Sequence, residues 1–503
     1  MKKRMMTVAA LVLLAALLFA CTPGIPSETD ALTQTEAGSS GETDSQNESQ
    51  TESQTEVASE SASETESASE PETEDPSGMT EQERIRYLYE HTDEKLQRVV
   101  AWGISHDPDH YEDFFRLLLD AGVNTALADE EYYGAPASLF GVVEAAEKTG
   151  MDLYINTFGD SGRAIAAKLF WVVDSPAVVG IYLRDEPLPS MFEELRSAIE
   201  DLHEELPESM RWPIGANLFP AVAMGGGYGN YSVVTDYVST VRPDFLCWDF
   251  YPFSSQTSKN SRFPIYLANL LQMKMIAGDA KIPLYSFIQT SRINSQEPPS
   301  TEQLRLLIHS ALALGSESLF LFTVGQIGED EEYTGNGETF GYLISADCSH
   351  VTEAYYRLSE VLHDIHNMKG IYLNYDLLFA DFYNLPAASA LVDAYRINPM
   401  IASVYEDYQG ITSSDPDASA VIGYFTKDEE NGDDGIYVVN ADYTFYGNDS
   451  DFTLHFSEVQ TYQIWGSEGL EAIGSGDTIT LTLRPGDGKF VVLNADNTVP
   501  EET

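Results

Sequence analysis

The most informative stretch of this 503-residue chain reads Val178-Val-Gly-Ile-Tyr-Leu-Arg184-Asp185-Glu186-Pro187. Six mostly apolar residues run directly into three charged side chains, and a proline then ends the segment. The apolar run has the length and composition of a strand that is buried on both faces, as in a parallel sheet. Charged groups at the end of such a strand are costly unless they are solvated, paired or functional. The stretch therefore predicts a buried strand that delivers acidic groups to one edge of a sheet.

Seven similar runs accompany this one, and helical patterns separate them. The predicted strands are residues 98–104, 125–128, 152–156, 178–183, 212–216, 245–250, 283–288 and 319–323. The predicted helices are residues 111–121, 139–149, 165–173, 192–205, 233–241, 265–277, 301–314 and 351–368. Eight strands that alternate with eight helices predict an α/β protein with a (β/α)8 barrel, which we assign to residues 80–371. An open doubly wound sheet is the alternative, but the glycine-rich first turn of its nucleotide-binding forms is missing.

The pattern changes after residue 371, where short alternating runs follow one another without a helical signal. These runs are residues 402–405, 420–426, 435–440, 452–456, 461–464, 478–483 and 489–493. Turn sequences, Asn431-Gly-Asp-Asp-Gly and Pro485-Gly-Asp-Gly-Lys, lie between some of them. Residues 372–497 are therefore predicted to form an antiparallel β-sandwich that supports the barrel, followed by a disordered tail at 498–503.

The N-terminus has the features of an export signal. Three basic residues precede an apolar run at residues 8–19, which is too short to span a bilayer. The run ends in Leu18-Phe19-Ala20-Cys21, which resembles the bacterial lipobox. That resemblance implies a lipoprotein signal peptide at 1–20, lipidation of Cys21 and attachment to the extracytoplasmic face of the cell membrane. An ordinary secretory signal with an incidental cysteine is the alternative.

Residues 21–79 are rich in Ser, Thr and Glu and lack any lysine or arginine. Such a composition cannot bury enough apolar surface to offset the entropy of ordering, so we expect a disordered, extended acidic linker. The whole chain carries a formal net charge of -54. A field of that sign repels phosphate backbones, and the sequence therefore argues against a nucleic-acid partner.

The sequence contains no recognisable cofactor or metal motif after the linker. CxxC, HExxH, Walker and GxGxxG patterns are all missing from it, so neither a cofactor nor a metal is predicted. Besides Cys21, the chain has two cysteines, Cys247 and Cys348. Either two buried thiols or a disulfide between them would suit an exported protein.

Because barrel enzymes carry their active sites at the C-terminal ends of the strands, the acids that end the fourth strand are the first candidates. Here the chain resembles the large clan of barrel glycoside hydrolases that includes the β-galactosidase-like enzymes. The resemblance implies that Glu186 is the general acid/base, with Asp185 standing where that clan usually has asparagine. A structural ion pair with Arg184 or a neighbouring loop is the alternative for these acids.

The chain departs from that clan at the end of the seventh strand. The segment reads Pro283-Leu-Tyr-Ser-Phe-Ile-Gln289-Thr-Ser-Arg292, and Gln289 replaces the glutamate that serves the clan as nucleophile. An amide cannot form a covalent glycosyl intermediate at a useful rate. The protein therefore either uses another acid or binds a sugar without cleaving it.

Asp249, at the end of the sixth strand, is the leading candidate for that other acid. Strands four and six are not neighbours, so we expect a Glu186 to Asp249 separation above ~5 Å, approaching the roughly 6.5–9.5 Å of inverting enzymes. A hydrogen bond from Asp249 to a loop is the alternative. Lesser candidates for the second acid are Asp129, Glu130, Glu131 and Glu297.

Aromatic and polar side chains near the strand ends fit a sugar ligand, because pyranose faces stack on rings and hydroxyls need hydrogen-bond partners. The aromatic candidates are Trp102, Tyr133, Phe158, Phe219, Trp248, Tyr251 and Phe322. The polar candidates are His106, Asn156, Asn217, Gln289 and Arg292. Singly, an aromatic residue at such a position is more often part of the core. The sequence thus predicts a surface-anchored glycoside hydrolase, or an inactive glycan-binding protein, or else a purely structural surface protein. No oligomeric state is predicted.

Overall fold

The structure, a computed structural model, describes residues 79–495 apart from several short gaps. The gaps are residues 106, 130–135, 158–160, 173, 208–211, 221–230, 254–258, 295, 327–332, 336–337, 395–406, 428–432 and 443–448. The predicted signal peptide, Cys21, the linker and the C-terminal tail lie outside the described residues. Among the helices that are described, none has the length and apolar character needed to cross a membrane.

Eight strands close into a parallel barrel, in which each strand pairs with its sequence neighbours and β1 pairs with β8. The strands are β1 Arg98–Ala101, β2 Thr125–Asp129, β3 Asp152–Asn156, β4 Val178–Asp185, β5 Ile214–Leu218, β6 Leu246–Trp248, β7 Leu284–Gln289 and β8 Ser316–Phe322. The predicted barrel is therefore confirmed, and the open-sheet alternative is wrong.

One helix precedes the barrel, and eight others follow its strands in turn. They are α1 Glu81–Glu90, α2 Tyr111–Asp120, α3 Pro136–Thr149, α4 Gly162–Leu169, α5 Phe192–Glu205, α6 Ser232–Val241, α7 Lys259–Ala280, α8 Thr301–Ala313 and α9 Glu353–Asn367. A short hairpin, β9 Tyr333–Gly335 and β10 Glu338–Phe340, lies between β8 and α9. Neither α1 nor this hairpin was predicted, because α1 buries no residue completely and the hairpin strands are only three residues long.

Large aromatic side chains fill the interior of the barrel. Tyr154, Tyr182, Phe245, Tyr285, Phe287 and Phe320 form one cluster there. Rings of this size leave no room for a side chain on the residues that lie directly against them. A β-carbon added at Gly180 would collide with the ring of Tyr154, and one added at Gly215 would lie 2.6 Å from that of Phe245. The barrel is thus a packed core, and a ligand can be bound only at its mouth.

Helix α8 is buried from Gln303 to Ala313, because it lies between the barrel and the C-terminal sheet. Polar as well as apolar side chains of this helix are buried, because the helix is covered on two faces. Its polar His309 contacts the C-terminal region, where the Tyr437 hydroxyl lies 2.8 Å from His309 Nδ1. The C-terminal region therefore packs directly on the barrel's helical layer.

The C-terminal region forms one seven-stranded antiparallel sheet. Its strands are β11 Asp376–Tyr383, β12 Tyr408–Ser413, β13 Ala420–Thr426, β14 Asp434–Asn440, β15 Ser450–Gly466, β16 Gly469–Leu483 and β17 Gly488–Leu493. The register of β15 against β16 shifts between His455 and Gln460. On one side of that shift β15 pairs with β12, and on the other with β17. Side chains from both parts share one core, which agrees with the predicted sandwich.

Several details of this region differ from the prediction. Residues 452–456 and 461–464, predicted as two strands, belong to the single long strand β15. Helix α10, Pro386–Ala394, and the strands β11 and β12 were missed. A register irregularity interrupts each of β11 and β12, which weakens the alternating pattern that would mark a strand in the sequence. The predicted strand 402–405 lies outside the described residues.

The glycines of this fold offer a test of the barrel's packing. We expect Gly180→Ala to lower the free energy of unfolding by several kcal/mol, because its β-carbon would displace the Tyr154 ring. Gly278→Ala, in α7, meets nothing within 4 Å and should stabilise the protein by about 0.5–1 kcal/mol. Thermal and denaturant unfolding of both variants would check this. Equal effects of the two substitutions would contradict the packing described here.

Candidate active site

An irregularity in β4 directs its charged residues to opposite sides of the barrel wall. The pairing of β4 with β5 shifts register between Tyr182 and Asp185. Arg184 lines a small cavity against α5, together with Glu194. The carboxyl of Asp185 turns inward and accepts a hydrogen bond from the Tyr182 hydroxyl, at 3.0 Å. Bulges of this kind commonly re-aim side chains next to active sites.

The amide of Asn217, at the mouth end of β5, holds two carboxyls together. Its Nδ2 donates to Asp185 Oδ1 at 3.1 Å and to Asp249 Oδ2 at 3.1 Å. Asn217 is 1% exposed and Asp249 is 8% exposed. The ends of β4, β5 and β6 therefore carry one connected polar cluster.

Glu186 completes this group, which we call the acid cluster: Asp185, Glu186 and Asp249 around Asn217. Its backbone N–H donates to the Asn217 carbonyl at 2.9 Å, and its side chain hydrogen-bonds the carboxyl of Asp249. Glu186 has a φ of 48°. A non-glycine residue in this region costs about 1–3 kcal/mol, and such strain often occurs at functional sites.

The hydrogen bond between Glu186 and Asp249 places the two carboxyls closer together than the sequence suggested. An inverting separation was expected because β4 and β6 are not neighbours. Only β5 lies between them, so their backbones are about 10 Å apart, and side chains that point toward the middle strand meet above it. This hydrogen bond couples the two acids, so that they can share a proton.

The two aspartates of the cluster are harder to ionise than ordinary carboxyls. Burial raises the pKa of Asp185, against the effect of its hydrogen bonds from Asn217 and Tyr182. Burial, followed by the neighbouring charge of Asp185, raises the pKa of Asp249 to about 8. The cluster therefore retains a proton on Asp249 at neutral pH.

Several buried amide atoms at the mouth have no hydrogen-bond partner among the described residues. They are both side-chain amide atoms of Asn156, Oδ1 of Asn217 and Nε2 of Gln289. The Oε1 of Gln289 accepts from the backbone N–H of Phe253 at 3.2 Å, so this residue also anchors the loop after β6. Unsatisfied buried polar groups are rare in proteins, and here they gather where a ligand would supply the missing partners.

Aromatic rings line part of the mouth. Trp102, after β1, packs edge-on against Tyr182, with ring centroids 5.6 Å apart. Tyr251 and Phe322 stack with centroids 5.2 Å apart. Trp248, by contrast, is buried on the outer face of β6, where it stacks on Tyr266 of α7. Alternation along β6 explains this, since Cys247, Asp249 and Tyr251 face the barrel axis and Trp248 faces the helices.

The remaining candidates either follow other strand ends or lie outside the described residues. Phe219 is half-buried after β5, and Arg292 is half-buried after β7, where its carbonyl accepts from the Gly341 N–H at 2.8 Å. Glu297 is exposed. The side chain of Asp129 is not described, and neither are His106, Glu130, Glu131, Tyr133 and Phe158.

Two polar residues at the mouth escaped the sequence interpretation. Tyr182 holds Asp185 in place, and Thr157, just after β3, has a buried hydroxyl without a described partner. Strand alternation places Tyr182 inside the barrel and was the available signal for it. Nothing in the local sequence distinguishes Thr157 from an ordinary strand-end threonine.

Cys247 and Cys348 are both free thiols, so the predicted alternative of a disulfide between them is wrong. Cys247 is buried inside the barrel, and Cys348 is half-buried after β8. Within the described part of the chain, no group of histidine, cysteine or acidic side chains is arranged to hold a metal ion.

Comparison with known proteins identifies no family. No protein-family model and no curated protein sequence matches the chain. Its similar solved structures include β-galactosidase from Marinomonas ef1, at 11% identity and TM-score 0.41, covering 54% of this chain and 60% of that one. Others are β-galactosidase from Bacillus circulans sp. alkalophilus (11%, 0.43, covering 57% and 58%) and glucosidase from Croceicoccus marinus (12%, 0.39, covering 80% and 95%). The chain thus spans less than two thirds of either galactosidase. These neighbours are glycoside hydrolases.

The raised pKa of Asp249 predicts a defined pH dependence of stability. The folded state keeps a proton that the unfolded state loses near pH 4, so unfolding free energy should fall as pH rises from about 4 to 8. One proton corresponds to about 1.4 kcal/mol per pH unit. Asp249→Asn should remove this contribution and gain stability relative to the unmodified protein across the window.

Denaturant unfolding at several pH values would measure the difference between the two proteins. Asp109→Asn, at an exposed aspartate after β1, is the control and should keep the unmodified pH profile. Parallel pH profiles for Asp249→Asn and the unmodified protein would contradict the assignment.

Proposed function

We propose that the protein is a glycoside hydrolase that binds a carbohydrate at the barrel mouth and cleaves it with Glu186 as the proton donor. The observation that supports this most is the acid cluster, in which three carboxyls meet at the mouth beside unsatisfied amides. Glycosidic bond cleavage needs a proton for the leaving oxygen and negative charge for the developing oxocarbenium ion. The cluster can supply both.

The mechanism divides these tasks within the cluster. Glu186, at the strained end of β4, delivers the proton, and its hydrogen bond to Asp249 lets the pair share and restore it. Asp185, held by Tyr182 and Asn217, contributes negative charge to the developing oxocarbenium ion. Because the site is buried, this charge acts in a low dielectric and is worth more than it would be in water. A water molecule forms the new bond to the anomeric carbon as the glycosidic C–O bond breaks, and its proton returns to the pair of Glu186 and Asp249.

Ligand binding rests on the rings and amides around the cluster. Trp102 and the stacked pair of Tyr251 and Phe322 offer apolar faces to a pyranose. Asn156 and Gln289 have free amide atoms for its hydroxyls. In this proposal the barrel stands at the outer face of the cell membrane, tethered by lipid on Cys21. The lipobox-like sequence supports that location.

A second candidate function is glycan binding without hydrolysis. The observation that favours it is Gln289, which occupies the strand end where the resembled clan has its nucleophile and which holds the Phe253 backbone. The hydrogen bond between Glu186 and Asp249 also differs from the wide carboxyl separation of inverting enzymes.

Glu186→Gln tests the first candidate. The amide keeps the shape but has no proton to give, so hydrolysis of a substrate with a poor leaving group should fall by about 10²–10⁴-fold. Substrates with activated aryl leaving groups need less protonation and should lose less. Kinetics on both substrate types, with calorimetric sugar binding as a second measurement, would check this. Glu200→Gln, on the surface of α5, is the matched control. Unchanged turnover on poor leaving groups would exclude the role.

Gln289→Glu tests the second candidate. A glutamate keeps the acceptor for the Phe253 N–H and adds a carboxylate at the end of β7. If the natural protein only binds glycans, this substitution should create or raise glycosidase activity with retention of anomeric configuration. Following the product anomer by proton NMR would show it. Hydrolysis by the unmodified protein, without a gain in the variant, would exclude the second candidate.

A further inference from the structure

Three large aromatic side chains are exposed together on the helical layer of the barrel, away from its mouth. Phe140 belongs to α3, and Phe170 and Trp171 follow the last residue of α4. Their exposed fractions are 45%, 68% and 62%. The centroid of the Trp171 ring lies 5.8 Å from that of Phe170 and 6.5 Å from that of Phe140. We call these three residues the aromatic surface. Single exposed apolar side chains are common, but a contiguous group of this kind marks an interaction site.

The backbone that carries two of these rings is held in place. Leu169 and Val172, which flank Phe170 and Trp171, are both buried in the core. The N–H of Phe170 donates to the carbonyl of Ala166 at 3.0 Å, and the N–H of Val172 donates to the carbonyl of Leu169 at 2.9 Å. The flanking side chains therefore fill the core side of this turn, and the two rings are presented to solvent.

Polar side chains lie beside the rings. Glu144 and Glu147 follow Phe140 by about one and two turns on the same face of α3. Glu147 Oε1 accepts a hydrogen bond from Ser175 Oγ at 2.6 Å, which links α3 to the segment after α4. Glu144 is ion-paired with Lys148 at 2.9 Å. Exposed rings with hydrogen-bonding groups next to them suit a sugar, whose flat faces are apolar and whose hydroxyls need partners.

Charge selects among the partners that could cover an aromatic surface. The chain has a formal net charge of -54, so a second copy, an anionic lipid surface and an acidic polymer are all repelled. Insertion of the rings into a bilayer would also remove water from the carboxylates of Glu144 and Glu147, which is costly. A neutral polysaccharide meets neither penalty, because its hydroxyls can donate to those carboxylates.

We propose that the aromatic surface is a second carbohydrate-binding site, which holds a neutral polysaccharide chain on the outside of the barrel. The ring planes of Phe170 and Trp171 are 84° apart, so a sugar unit that stacks on one ring lies with its edge against the other. A chain bound here and at the mouth would be held more tightly than by either site alone. Only the choice of ligand class rests on the proposed carbohydrate function, since binding at this surface does not require hydrolysis.

Retention on insoluble cellulose, β-mannan and galactan tests the proposal, with the full-length protein in a mild nonionic detergent. The unmodified protein should bind at least one of these polysaccharides. Trp171→Ala should weaken that binding about tenfold, because it removes the ring that contacts both others. Trp171→Phe keeps a ring and should retain most of the affinity. Tyr356→Ala, which removes a 63% exposed ring from α9, is the matched control and should change nothing.

A second measurement separates this site from the mouth. Calorimetric binding and hydrolysis of short soluble oligosaccharides report on the mouth, and both should be the same for Trp171→Ala and the unmodified protein. If neither is detected while polysaccharide retention still depends on Trp171, the proposed hydrolase function fails and the aromatic surface stands. Circular dichroism checks the fold, and Phe170→Ala should weaken retention in the same direction as Trp171→Ala.

Three results would overturn the proposal. One is failure of the unmodified protein to bind any of the polysaccharides, and another is equal retention of Trp171→Ala and the unmodified protein. The third is unchanged retention of Trp171→Ala together with weaker binding to phosphatidylcholine vesicles, or with loss of a dimer in sedimentation. That result would assign the aromatic surface to a membrane or to a second copy.

Discussion

Closure of the parallel barrel through the pairing of β1 with β8 is the constraint on which the rest of the structure depends. A closed barrel has an inside that must be filled, and here six aromatic rings fill it, from β3, β4, β7 and β8 and from the residue before β6. Residues 180 and 215 are glycines, because a side chain at either position would overlap the ring of Tyr154 or Phe245. With the lower interior packed, polar side chains that point inward can be placed only at the mouth, where the last residues of β3 to β7 meet.

The acid cluster depends on the closed barrel and on one local irregularity in β4. The register shift in β4 sends Arg184 outward and Asp185 inward, which separates a basic side chain from the acids beside it in sequence. Asn217 on the middle strand then bridges β4 and β6. The cluster is buried, and the low dielectric around it raises the pKa of Asp249. Asp249 therefore keeps its proton at neutral pH. A surface group of the same composition would be fully ionised and screened.

The C-terminal sheet supports the barrel by packing on its helical layer. It covers α8, packs the aromatic side chains of β14 and β17 against the barrel's helical layer, and adds polar contacts such as Arg484 Nη2 to Asp364 Oδ2 at 3.2 Å. The sheet supplies none of the residues of the acid cluster. Its contribution is stability for the barrel strands whose ends carry that cluster.

The sequence by itself determined the class of the fold and the strand ends that carry the acids. Its alternation of buried strands and helices predicted the barrel, and the run from Val178 to Pro187 placed Asp185 and Glu186 at the mouth, because these patterns are local and set by burial. It could not determine which side chains meet. Trp248 faces the helices, Glu186 contacts Asp249, and Gln289 anchors Phe253, and each outcome depends on strand alternation, a register shift or a neighbouring loop. Only the tertiary structure decided these contacts, because closing the barrel brings together residues from strands that are far apart in the chain.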